Sequence, residues 1–253
     1  MFYVLGRLIG FIFMWAFVKP MRQIYGRKKV TLENDHILRE FSGKSVILIA
    51  NHIKPRNKFL RLITLPYDAF VIRGVLKRYG IYTTALASID SGKKPKDSFQ
   101  KAKKQKMEQL IKGIVTSIDL IPVNRNESDP RTMKEMKQRI AKGSLGIGIF
   151  PEGTWFRGFR KSRKLHPGMA VLSKRYGLPI IPMFLDAYNL NKPIRLSVGY
   201  PIREVKDASE TVSFVRSELI RMKDKGTSVI LPQKPVEVLE DENDGLEISP
   251  SIS

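Results

Sequence analysis

The chain has 253 residues and a formal net charge of +21, with 45 Lys and Arg against 24 Asp and Glu. It has no cysteine, which excludes a thiolate nucleophile, a zinc–thiolate site and disulfide bonds, and only three histidines, His36, His52 and His166, too few for a histidine-rich metal cluster. The length suits one domain with a substantial core.

The basic excess lies in residues 1–236, because six acidic residues and no basic one follow. Charge of this sign and size predicts an anionic partner, either a lipid surface or nucleic acid. At the N-terminus, Leu8 to Val18 is an uncharged apolar run of 11 residues. A spanning helix needs about 20, and extending the run backwards brings in Arg7. Lys19, Arg22, Arg27, Lys28 and Lys29 follow at headgroup-like positions. Residues 1–29 therefore read as a membrane-inserted or interfacial anchor, with a core helix of a soluble domain as the rival reading.

Beyond it, short apolar runs alternate with helical patterns. Ser45–Ala50 reads as a buried strand, 66–79 as a helix, Ile81–Ala87 as a strand, and the lysine-rich 97–112 as a helix. Ser117–Val123 is a strand candidate. Pro130–Lys142 reads as a helix with Asp129 as N-cap and proline at the first helical position. Leu145–Phe150 is a strand, and Pro167–Tyr176 a helix closed by Gly177. Pro179–Leu185 and Ile194–Val198 are strands, and 207–225 is an amphipathic helix. The alternation predicts an α/β domain over 30–236, with a largely parallel central sheet flanked by helices and an N-terminal membrane-associated helix. Residues 237–253, acidic and ending in small polar residues, read as a disordered tail.

Four segments at predicted strand ends stand out: Asn51-His52, Ile121-Pro122-Val123-Asn124-Arg125, Phe150-Pro151-Glu152-Gly153-Thr154, and Leu178-Pro179-Ile180-Ile181-Pro182. In parallel sheets, binding loops gather beyond the carboxyl ends of strands. A histidine there can act as a general base near neutral pH if a second group orients its ring. The guanidinium of Arg125 suits a phosphomonoester, because it offers paired donors in a plane. Gly153 lets backbone approach a ligand closely, and Thr154 offers a hydroxyl and an N–H to an anion. Ser42-Gly43-Lys44-Ser45 lacks the leading glycine of a P-loop and precedes a strand. No Gly-x-Ser-x-Gly elbow exists. Nucleotide and nucleophilic-serine chemistry are therefore unsupported.

In order and spacing, from about residue 45 to 185, these segments resemble the four motifs of the glycerolipid acyltransferases, especially the 1-acylglycerol-3-phosphate acyltransferases. The resemblance implies transfer of a fatty acyl group from acyl-CoA or acyl carrier protein to the hydroxyl of lysophosphatidic acid, giving phosphatidic acid. It implies His52 as base, and Arg125, Glu152, Gly153 and Thr154 as substrate-binding residues, with backbone N–H groups near Gly153 available to an oxyanion. It implies no metal or redox cofactor. Two departures stand out. The family's aspartate after Asn-His is replaced by Asn57. An insertion of 11 residues, carrying Lys54, Arg56, Lys58 and Arg61, would instead make Asp68, at the head of an apolar helix, the partner of His52. Asn57 as the partner, or a catalytically inactive relative, are the rival readings. Trp155 stands where the family has an arginine, so Arg157 or Arg160 is expected to supply that cation.

The lysine run Lys93 to Lys106 could hold anionic headgroups or an acidic carrier protein, and its lack of interleaved aromatics counts against a nucleic-acid partner. The expected location is the cytoplasmic face of the cell membrane. The competing function is a non-catalytic basic protein bound to anionic membranes or nucleic acid.

Overall fold

The structure is a computed structural model that describes residues 1–20, 30–54, 67–89, 97–123, 130–153, 156, 159–160, 162–187 and 193–225. The expected acidic tail, Asn57, Arg125, Thr154 and Arg157 lie outside the described residues, as does the expected N-cap Asp129.

In chain order the elements are α1 (Phe2–Phe13), β1 (Val30–Glu33), α2 (Asp35–Glu40), β2 (Val46–Ala50), α3 (Tyr67–Leu76), β3 (Tyr82–Ser88), α4 (Ser98–Ser117), β4 (Ile121–Val123), α5 (Pro130–Ala141), β5 (Leu145–Ile149), α6 (Gly168–Tyr176), β6 (Ile180–Asp186), β7 (Ile194–Val198) and α7 (Ala208–Lys225). The strands form one sheet in the order β1-β7-β6-β2-β5-β3-β4, in which β6 and β7 are the one antiparallel pair of strands among the described residues.

Strand β2 shows why the central strands read as unbroken apolar runs. All five of its residues are buried, because helices cover both faces of the sheet. Val46, Leu48 and Ala50 point into one core with Ile37 and Leu38 of α2 and Val71 and Val75 of α3. Ile47 and Ile49 point into the other with Met136 of α5, Met169 and Leu172 of α6, and Val215 and Leu219 of α7. β2 pairs with β5 so that Ile49 lies opposite Ile149. His52 and Glu152 each follow three residues later, so the register itself sets them side by side above the sheet.

Two expectations need correction. The strand expected over Ser117–Val123 begins only at Ile121, because α4 continues to Ser117 and Asp119 then turns the chain in the left-handed region (φ 62). β1 and α2 were not foreseen. They are short, and the charged ends of α2 hide the apolar pair Ile37-Leu38.

α1 supplies the reason for the long α4. It runs beside α4 in the same direction, with Gly6 against Leu110 and Gly113, and Gly10 against Ile114 and Ser117. A Cβ on Gly113 would come within 2.3 Å of the Tyr3 carbonyl oxygen, so the two backbones touch through glycine. After Phe13, α1 continues as one π-helical stretch, Met14–Val18. Among the described residues, no helix is long and apolar enough to cross a membrane.

Candidate active site

The site is built on the loops after β2 and β5 and on the start of α3. Asn51 anchors the first loop. Its amide donates to the Leu185 carbonyl (3.0 Å) and accepts from the Leu185 N–H (2.8 Å), clipping the end of β2 to β6. Paired side-chain and backbone bonds of this kind satisfy a fully buried amide and fix its backbone. The next residue, His52, is thereby aimed.

His52 Nδ1 lies 2.7 Å from Oδ2 of Asp68. The same Oδ2 accepts the Ile53 N–H at 2.7 Å, and Oδ1 accepts the Ala69 N–H at 2.8 Å. Asp68 has no solvent-exposed surface, and all of these partners are donors to it. A carboxylate already accepting from backbone N–H groups on both oxygens accepts a hydrogen bond from Nδ1–H, which leaves Nε2 as the ring nitrogen that can take a proton. The ring stacks on Phe150, with centroids 4.1 Å apart and planes at 15°. Orientation and tautomer are thus fixed from three sides.

The Pro-Glu-Gly turn sits against the first loop. Glu152 Oε2 accepts the backbone N–H of His52 itself (2.9 Å), while Oε1 takes a bond from Arg163 (2.6 Å). The side chain of Glu152 is only 1% exposed. Removing the cation from a buried pair costs about 3–5 kcal/mol, since the remaining charge is left uncompensated. Gly153 adopts φ 69, a left-handed conformation that favours glycine, and its N–H closes the turn on the Phe150 carbonyl (3.0 Å). That N–H is therefore committed to the turn rather than held out for an oxyanion. A Cβ at Gly153 would also meet the His166 ring at 3.0 Å.

After the turn the chain runs alongside the first loop. Phe156 forms a parallel bridge with Ile53, with Lys54 N–H donating to the Phe156 carbonyl (2.7 Å) and Phe156 N–H to the His52 carbonyl (3.4 Å). The segment then folds back. Phe159 is buried edge-on against Phe184, and the His166 N–H bonds the Pro151 carbonyl.

The structure therefore brings together His52, Asp68, Glu152 and Gly153. Arg160, one candidate for the missing motif cation, is exposed; the cation on Glu152 is Arg163. Neither Arg163 nor the clamping role of Asn51 was singled out from sequence. Arg163 stands eight positions past Trp155 in a run rich in Arg and Lys, and nothing in that composition marks one of them. Asn51 was visible only as the neighbour of His52.

Under α3, an apolar cavity opens between that helix and strands β2, β3 and β5, with Leu48, Ala50, Ile72, Phe150 and Met183 among its walls. Phe150 is shared, one face of the site and one wall of the cavity.

No curated protein matches the chain by sequence. Among solved structures, it is similar to the 1-acyl-sn-glycerophosphate (LPA) acyltransferase PlsC from Thermotoga maritima, at 15% identity and a TM-score of 0.49 over 83% of this chain and 81% of that one. The family model described as Acyltransferase matches residues 29–186. That span is more than half of the chain and holds both site loops, and the chain belongs to the Acyltransferase family.

Proposed function

We propose that this protein is a membrane-associated O-acyltransferase that moves a fatty acyl group from an acyl thioester, acyl-CoA or acyl carrier protein, to the free hydroxyl of lysophosphatidic acid. The observation that carries this reading is the buried His52–Asp68 pair at 2.7 Å, set beside the Pro-Glu-Gly turn. His52 Nε2 takes the proton of the acceptor hydroxyl as its oxygen attacks the thioester carbonyl. The tetrahedral intermediate collapses with cleavage of the C–S bond. The imidazolium, stabilised by Asp68, returns the proton to the departing thiolate. The acyl group passes directly between substrates, so no covalent acyl-enzyme and no cofactor is required. Arg125, with Thr154 and Arg157, is assigned to the phosphate of the acceptor. The apolar cavity under α3 shares Phe150 with the base.

Membrane association rests on α1 and α4. Val4, Leu5, Leu8, Ile9, Phe11, Ile12 and Trp15 are exposed along one side of the N-terminal helix, far more apolar surface than one helix normally leaves in water. α4 beside it carries Lys101, Lys103, Lys104, Lys106 and Lys112 against the single acidic Glu108. An apolar face bordered by lysines fits an interfacial position on anionic lipid, with residues 1–29 as the anchoring segment, 30–236 as the acyltransferase domain, and the cytoplasmic face as the location.

Trp15 is 66% exposed and makes this testable. In a Trp155→Phe variant it is the sole tryptophan. Its fluorescence is expected to be quenched by bromine-labelled acyl chains in anionic vesicles, with binding that weakens as salt rises. Absence of quenching would remove the interfacial anchor. Substrate choice is decided by an acyl-transfer assay over a panel of acceptors. Lysophosphatidic acid is expected to exceed glycerol 3-phosphate and neutral monoacylglycerol; equal rates on the neutral acceptor would contradict the assignment of Arg125 to a phosphate.

A further inference from the structure

We infer that Arg163 is a positioning residue that holds the base-bearing loop through Glu152 and Phe156; the inference rests on the reading of His52 as general base. Both oxygens of Glu152 are spent inside the protein, one on the His52 backbone N–H and one on Arg163. The carboxylate therefore acts on the His52 peptide. The guanidinium of Arg163 also lies over the Phe156 ring, and Phe156 is the residue whose backbone bonds both His52 and Lys54. One side chain thus contacts the two groups that fix the 52–54 backbone from the side of β5.

The sequence around Arg163 is built to hold it there. Phe159 on one side and Leu165 on the other are buried in the same core, and the His166 N–H ties the segment to Pro151. The arginine side chain between these anchors is 14% exposed. Trp155 occupies the position where the resemblance led us to expect a cation, and Arg163 supplies a cation to the buried carboxylate from eight residues further on. Arginine suits the task, since its planar guanidinium can hydrogen-bond a carboxylate at its edge while its face covers an aromatic ring.

The test uses the full chain, labelled with ¹⁵N at its three histidines. Arg163→Met is expected to move the backbone amide resonance of His52 while leaving that of His36 on α2 in place. The same variant is expected to lower kcat by about 100-fold, as a small misplacement of a reacting group does, with the KM for the acyl thioester changed by less than about threefold. Arg163→Lys keeps the charge and is expected to fall between wild type and Arg163→Met. The double variant Glu152→Gln with Arg163→Met removes both charges and leaves an amide oxygen for the His52 N–H. It is expected to recover about tenfold of the lost kcat, the non-additivity of a directly coupled pair. Should Arg163→Met fail to fold, the double variant and Arg163→Lys carry the comparison. An unmoved His52 amide, or a double variant with no recovery over Arg163→Met, would overturn the inference. If His52→Ala kept full acyl transfer, the base assignment would fall, and the amide shift would still decide whether Arg163 sets the position of residue 52.

Discussion

His52→Ala is expected to reduce acyl transfer by about 10²–10⁴-fold, the usual contribution of a general base, with the fold retained. The ring is close to fully buried, yet it lies beyond the end of β2, where it stacks on Phe150, itself packed on the edge of one core, and bonds the Asp68 carboxylate. Loss of the ring therefore removes the proton acceptor without opening the packed centre. The decisive control is circular dichroism together with release of thiol from the acyl thioester. A folded variant with wild-type thiol release would show that the ring does not take the acceptor proton.

The second large effect is expected at Asp68. Asp68→Asn preserves size but gives one oxygen where the site uses two. Oδ2 receives the His52 ring and the Ile53 N–H, and Oδ1 receives the Ala69 N–H. Whichever way an asparagine amide is turned, its NH₂ faces at least one backbone donor, and the unsatisfied groups cost about 1–3 kcal/mol. If the NH₂ faces the ring, it forces the proton onto Nε2 and abolishes the base; if the oxygen does, the imidazolium still loses its counter-charge. A loss of about 10³–10⁴-fold in kcat is expected by analogy with the aspartate of hydrolase triads. Asn57→Ala is expected to leave kcat near that of the unmodified protein. A loss confined to Asn57→Ala would mean that the contact with Asp68 is structural and that the catalytic partner lies in the segment between them.

Much of the central architecture was legible because its signals are local. Strands buried on both faces read as apolar runs, as in Val46–Ala50, and the helix ending at Tyr176 is closed by Gly177 at φ 64. Asp68 was legible as a candidate only through the resemblance, in which an aspartate leads the apolar helix that follows the family's histidine; by itself an acidic residue in a helix's first turn is ordinary, because it suits the helix dipole. What escaped depended on partners distant in sequence. α4 extends past its predicted end because Gly113 and Ser117 meet α1 about a hundred residues earlier in the chain. Arg163 sits among several basic residues that composition cannot rank, and only the fold-back after Phe159 selects it. The same is true of Asn51, whose partner Leu185 is on β6.

Coupled bond exchange between two substrates at His52 is the central claim. Purified full-length protein on anionic vesicles, given an acyl thioester with and without lysophosphatidic acid, provides the most direct measurement. One thiol should appear for each phosphatidic acid formed, only when the acceptor is present, and not in the His52→Ala variant. Thiol release that ignores the acceptor, or vesicle binding with no ester formed, would contradict it and leave a basic lipid-binding protein in its place.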